Sequence, residues 1–70
     1  MPEPLNVGDR PINLTQALKL AGWVGNGGEA KALISDGMVR VNGEVELRKR
    51  RKMAVGDLVE LHDGPKLILA

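Results

Sequence analysis

The stretch "MVRVNGEVEL", residues 38–47, decides the fold. Valines alternate with polar residues on both sides of Asn42-Gly43, and that period of two marks strands joined by a tight turn. Two registers are open. A two-residue Asn42-Gly43 loop pairs Val41 with Glu44 and Val39 with Glu46, which puts acids on the valine face. A three-residue loop keeps Val39 and Val45 on one face, because a one-residue slip turns every side chain over. We favour the three-residue loop with a bulge. In either placement of that three-residue loop Arg40 is expected opposite Glu44 or Glu46.

Upstream the period lengthens. In "INLTQALKLAG", Leu14, Ala17, Leu18 and Ala21 recur at helical spacing, with Asn13 as N-cap, Gln16 as its capping-box partner and Gly22 as the stop. After the loop "WVGNGG", Asn26 can cap a second helix with Glu29 three residues on. Ala30, Leu33 and Ile34 form its apolar stripe, and Gly37 ends it. Downstream, "VGD" and "HDGP" are turns around two further strands, "LVEL" and "KLILA". Before residue 12, three prolines leave room for at most a short edge strand near Leu5 to Val7. The expected architecture is α+β: two short helices packed on a small antiparallel sheet of three to five short strands. Residues 1–70 are read as one domain with its core between 12 and 61.

Composition narrows the function classes. Seventy residues bury only about 60% of their unfolded surface, and no cysteine is present to supplement the core with a disulfide or a thiolate metal site. The single histidine, His62, beside a turn, reads as a surface residue. With 43% hydrophobic and 27% charged residues the chain is globular rather than disordered. No apolar run reaches the ~20 residues that span a bilayer. The N-terminus lacks the pattern of a secretory signal, so the expected compartment is the cytoplasm. No nucleophile, base and orienting group come together in the sequence, so no enzyme and no cofactor are expected. "GNGGEA" satisfies a dinucleotide-binding pattern formally, but a helix precedes it where a strand is required. It reads as a tight bend, though one where a phosphate backbone could approach Gly27 and Gly28 closely. Trp23, the only aromatic, either plugs the core or stacks on a base.

The charge is uneven. Net charge is +1, yet Arg48, Lys49, Arg50, Arg51 and Lys52 hold five of the ten Lys and Arg residues. A run of this kind can be a solvated tail. Here its ends are tied into the fold by Leu47, Met53 and Val55, and its mutual repulsion calls for an anion. Phosphate is the anion that Arg and Lys suit best. Lys31, Arg40 and Lys19 could extend the patch. Treated as an extended chain, Arg48, Arg50 and Lys52 point one way and Lys49 and Arg51 the other.

"EAKALISDGMVRVNGEVELRKRRKMAVGDLVEL" resembles the S4 domain, the small RNA-binding module named after a small-subunit ribosomal protein. The residues that match are Ile34, Gly37, Val39, Val41, Asn42, Gly43, Val55, Gly56, Asp57 and Val59. "LTQALKLAGWVGNGGEAK" and "NGEVELRKR" are nearer still to its small stand-alone bacterial subgroup, the YbcJ-like proteins. The resemblance implies an αL-type surface made by the helix pair and the hairpin, without catalysis. It implies as partner a structured or ribosomal RNA, or the ribosome itself, with no membrane and the chain a monomer. Where the family often starts the second helix with Ser-Arg, this chain has Asn26-Gly27, which shifts weight to the basic run. The candidate RNA contacts are Lys19, Gly27, Gly28, Lys31, Arg40, Asn42 and residues 48–52. The alternatives are an adaptor that docks an acidic protein, in which Glu44 and Glu46 would matter as much as the bases, and a nonspecific DNA binder.

Overall fold

The hairpin turns in two residues, not three. In the computed structural model, which describes residues 2–70, Asn42 and Gly43 both have positive φ, 53° and 87°. That pair of values defines the type I′ turn whose twist matches the flanking strands. Strand β2 (Val39–Val41) therefore faces β3 (Glu44–Val45) with Val41 opposite Glu44 and Arg40 opposite Val45. The expected bulge is absent, and Arg40 is flanked by Val45 and, from the other side, Glu60. The objection to the two-residue loop was acid on a buried face. It is met at both acids: Glu44 is exposed on the two-residue edge strand β3, and Glu46, just beyond it, is neutralised by Arg48 and Arg51. Asn42 also has tertiary support: its Oδ1 accepts the Leu58 N–H at 2.9 Å and its Nδ2 donates to Asp57 at 3.0 Å.

The helices begin where their caps dictate. At α1 (Leu14–Leu20) the Gln16 N–H donates to Asn13 Oδ1 at 2.9 Å, and the Asn13 N–H donates back to Gln16 Oε1 at 2.8 Å. At α2 (Gly27–Ser35) the Glu29 N–H donates to Asn26 Oδ1 at 2.9 Å, while the reciprocal bond runs between the two side chains. Gly37, at φ 74°, turns the chain out of α2, and the Met38 N–H closes on the Leu33 carbonyl at 3.1 Å.

Two further strands, β4 (Leu58–Leu61) and β5 (Lys66–Leu69), complete the antiparallel part of the sheet. The first strand, β1 (Glu3–Leu5), lies two residues earlier than expected and runs parallel to β5, giving the order β1-β5-β4-β2-β3. A proline-containing strand is tolerated at that edge because no further partner needs its missing N–H. One face of the sheet carries Val39, Val41, Val59, Leu67 and Leu69 against Leu14, Ala17, Leu18, Ala30 and Ile34, each at most 5% exposed. Trp23 is half-buried and packs on the rim of this core. Among the described residues no helix is long and apolar enough to cross a membrane, and no group of metal-binding side chains occurs.

Candidate nucleic-acid interface

The start of an α-helix leaves N–H groups without partners in the helix itself. At α1 the basic segment supplies partners for two of them. The Leu14 N–H donates to the Arg51 carbonyl at 2.9 Å and the Thr15 N–H to the Lys49 carbonyl at 3.3 Å. The Thr15 hydroxyl donates to the same Lys49 carbonyl at 2.7 Å, and the Met53 N–H donates to the Ile12 carbonyl at 3.0 Å. To make these bonds the segment must bend, and it does so at Lys49-Arg50, with the Arg51 N–H donating to the Arg48 carbonyl at 3.3 Å. The alternation expected of an extended chain is therefore lost. Basic side chains are carried on a loop stitched to a helix start.

The five cations of this loop fall into two groups. Arg51 lies between two carboxylates, 2.9 Å from Glu46 and 3.1 Å from Asp57, with its side chain only 23% exposed. Arg48 pairs with Glu46 at 3.0 Å but remains largely in solvent. Lys49, Arg50 and Lys52 have no carboxylate partner among the described residues, and neither do Lys19 and Lys31. Hydrogen bonds from the Arg48 side chain hold the Glu46 carboxyl below its ordinary range, aided by the Arg48 N–H and the charge of Arg51. Partial burial alone would raise Asp57. Donation from Asn42, the Ala54 N–H and Arg51 outweighs it and leaves Asp57 lowered.

A carboxyl whose folded-state pKa is depressed contributes stability that is fully present above its unfolded value and is lost as pH falls through the folded value. Thermal unfolding followed from neutral pH down to about pH 2 should therefore show Tm falling below the ordinary carboxylate range. The Asp57→Asn variant should start lower and fall less. A wild-type decline no steeper than that of Asp57→Asn would remove Asp57 from the account.

Arg50 is the centre of the unpaired group. It lines a shallow groove with Lys19, Lys31 and Gly27, floored by Asn13, Thr15 and Gln16, and an adjoining hollow with Lys52. Gly27 leaves that groove open: a Cβ there would meet nothing nearer than Thr15 Cγ2 at 3.9 Å. Gly28 does not line it, and a Cβ there would press on the Asn26 cap at 3.2 Å. Arg48 and Arg51 meet Arg50 and Lys52 around a more open depression. Lys49 is exposed at the bend, outside these linings. Arg40 stands elsewhere, with Glu60 and Lys66 in a depression that shares no residue with the groove. Asn42 is committed to Leu58 and Asp57, and Trp23 is not in the groove lining. Sequence reasoning missed Thr15, Asn13 and Gln16 as the groove floor. The capping motif marked two of them, but no local signal announces a Thr15 bond to a residue 34 positions away.

Comparison with known proteins gives this geometry a family. A model of the S4 domain matches residues 5–69. The Escherichia coli (strain K12) protein named "Putative RNA-binding protein YbcJ" is 44% identical over 55 residues, which cover 77% of this chain and 79% of that protein. "Probable ribosome maturation protein RlbA" of Bacillus subtilis (strain 168) is 43% identical over 61 residues, 87% of this chain and 86% of that one. The solution structure of YbcJ from E. coli, reported with an αL motif involved in RNA binding, superimposes with a TM-score of 0.73. At 37% identity it covers 96% of this chain and 85% of its own. With its helix pair, its hairpin and its basic loop, the chain belongs to the S4 domain family.

Proposed function

We propose that the chain, acting as one unit, is a non-catalytic RNA-binding module of the cytoplasm that grips the phosphate backbone of structured RNA, ribosomal or ribosome-associated. One observation carries this reading: Lys19, Lys31, Arg50 and Lys52, from two helices and the basic loop, surround adjoining hollows without a carboxylate partner among the described residues. The αL motif of YbcJ and the maturation role in the name of RlbA support the RNA and the ribosome as its setting. Arg50 suits a bidentate phosphate contact, and the lysines act as point charges. Such contacts position an RNA and carry little sequence information. The adaptor alternative would need Glu46 presented outward, but its side chain is 13% exposed and paired to two arginines.

A competition experiment tests the nucleic acid. A-form RNA presents a wide, shallow minor groove edged by 2′-hydroxyls, which B-DNA lacks. With a labelled RNA stem-loop bound, the unlabelled stem-loop should displace it at lower concentration than a DNA duplex of equal length. Equal displacement by the two would contradict recognition of RNA shape, and no binding of the stem-loop would contradict the function itself.

A further inference from the structure

Two acids sit at the base of a loop assigned to hold polyanionic RNA. By Coulomb's law alone Glu46 and Asp57 weaken phosphate binding, and removing either charge should tighten it. The geometry points the other way. We infer that Glu46 and Asp57 are positioning residues of the RNA interface: by clamping Arg51 from two sides they hold the basic loop in the bend that sets Arg50 in the groove and Lys52 in the adjoining hollow. This inference rests on the RNA-binding reading above.

The path runs through bonded atoms. Glu46 and Asp57 approach the Arg51 guanidinium at 2.9 and 3.1 Å. Glu46 also accepts from the Arg48 N–H at 3.1 Å and from its side chain at 3.0 and 3.1 Å, which fixes the near end of the loop. Asp57 accepts the Ala54 N–H at 2.8 Å, which fixes the far end. Arg51, so held, presents its carbonyl to the Leu14 N–H at 2.9 Å. The bridge between Lys52 and Asn13 then places Lys52 beside the helix start, and Arg50 lies between Lys49 and Arg51, whose carbonyls hold the Thr15 and Leu14 N–H groups. Five adjacent cations would otherwise spread apart to relieve their repulsion. Intramolecular carboxylates that neutralise the two end arginines relieve part of it and leave Lys49, Arg50 and Lys52 for phosphate.

The test reads the sign of an affinity change. Binding of a labelled RNA stem-loop is measured by fluorescence anisotropy for wild type, Glu46→Gln, Asp57→Asn, Arg50→Gln, and each acid variant combined with Arg50→Gln. Far-UV circular dichroism and Trp23 emission confirm that each variant is folded. Each acid variant should bind about five- to eightfold more weakly at ~0.1 M salt, the size of one lost phosphate contact. In the Arg50→Gln background the same acid changes should alter Kd by only about twofold, because the residue they position is gone. A general loss of stability would persist in both backgrounds. Weakening by Arg50→Gln alongside unchanged or tighter binding in the folded acid variants overturns the clamp and leaves the RNA reading standing, as does an equal loss in both backgrounds. If Asp57→Asn does not fold, Glu46→Gln decides, since Glu46 takes no part in the Ala54 turn. A wild-type protein that does not bind the stem-loop overturns the RNA reading and the clamp with it.

Discussion

Replacing Lys31, Arg50 and Lys52 together by glutamine is expected to weaken binding to a structured RNA about a hundredfold at ~0.1 M salt. The magnitude follows from counterion release. Each neutralised phosphate frees about 0.7–0.9 of a condensed cation, so at that salt each contact multiplies affinity by about five to eight. Three contacts compound to a hundredfold or more. All three residues are exposed and lack carboxylate partners among the described residues, so their removal costs the fold little. The matched control is Arg40→Gln with Lys66→Gln, two cations on the outer face of the sheet. That control should change affinity by less than about threefold, the residual long-range effect of charges screened over a Debye length. Equal losses from the two sets, measured by anisotropy on one RNA, would mean that net charge rather than this groove drives binding.

Leu18→Ala is expected to remove a large part of the stability of the fold. Leu18 is fully buried where α1 meets the rest of the core. Truncating such a leucine costs about 2–5 kcal/mol, from lost transfer energy and the cavity left behind. A chain of 70 residues has a total stability of only about 4–10 kcal/mol. No disulfide is present to limit the loss. The consequence reaches the interface, because α1 is the helix whose first N–H groups hold the basic loop. Urea unfolding followed by Trp23 fluorescence should show the midpoint falling by at least a third. A midpoint within a tenth of wild type would show that α1 does not carry the core.

Local chemistry was legible and distant pairing was not. Both helix starts could be read because a cap and its partner lie three residues apart, as with Asn13-Gln16 and Asn26-Glu29. Gly37 and the alternation of "LVEL" and "KLILA" likewise placed the end of α2, β4 and β5. The hairpin register was misjudged for a physical reason. On a half-buried strand, acids opposite valines are costly. With Glu44 exposed at the edge and Glu46 paired to Arg48 and Arg51 that cost is offset, and the Asn42-Gly43 turn decides the register by its own backbone preference. The parallel pairing of β1 with β5 joins residues more than sixty positions apart, which no window of sequence reveals.

The same limit governs the site. Composition located the basic loop, and the spacing of the helices placed Lys19 and Lys31 on the chain. It could not show that Arg51 would be taken up by Glu46 and Asp57, or that the Lys49 and Arg51 carbonyls would hold α1. Those bonds set the bend, and the bend decides which cations stand together. An extended run would have set Arg48 beside Arg50 and Lys52 only; the bent loop adds Arg51 to that group and sets Arg50 in the groove with Lys19 and Lys31.

The dependence of RNA affinity on salt measures the number of phosphates engaged, and so tests the central claim most directly. On the helix pair and the basic loop, the five cations without a carboxylate partner among the described residues, Lys19, Lys31, Lys49, Arg50 and Lys52, predict a slope of log K against log salt of about −3.5 to −4.5. Without Lys31, Arg50 and Lys52, two contacts remain and the slope should flatten to about −1.4 to −1.8. A wild-type slope near zero, or a slope that the triple substitution leaves unchanged, would contradict the account.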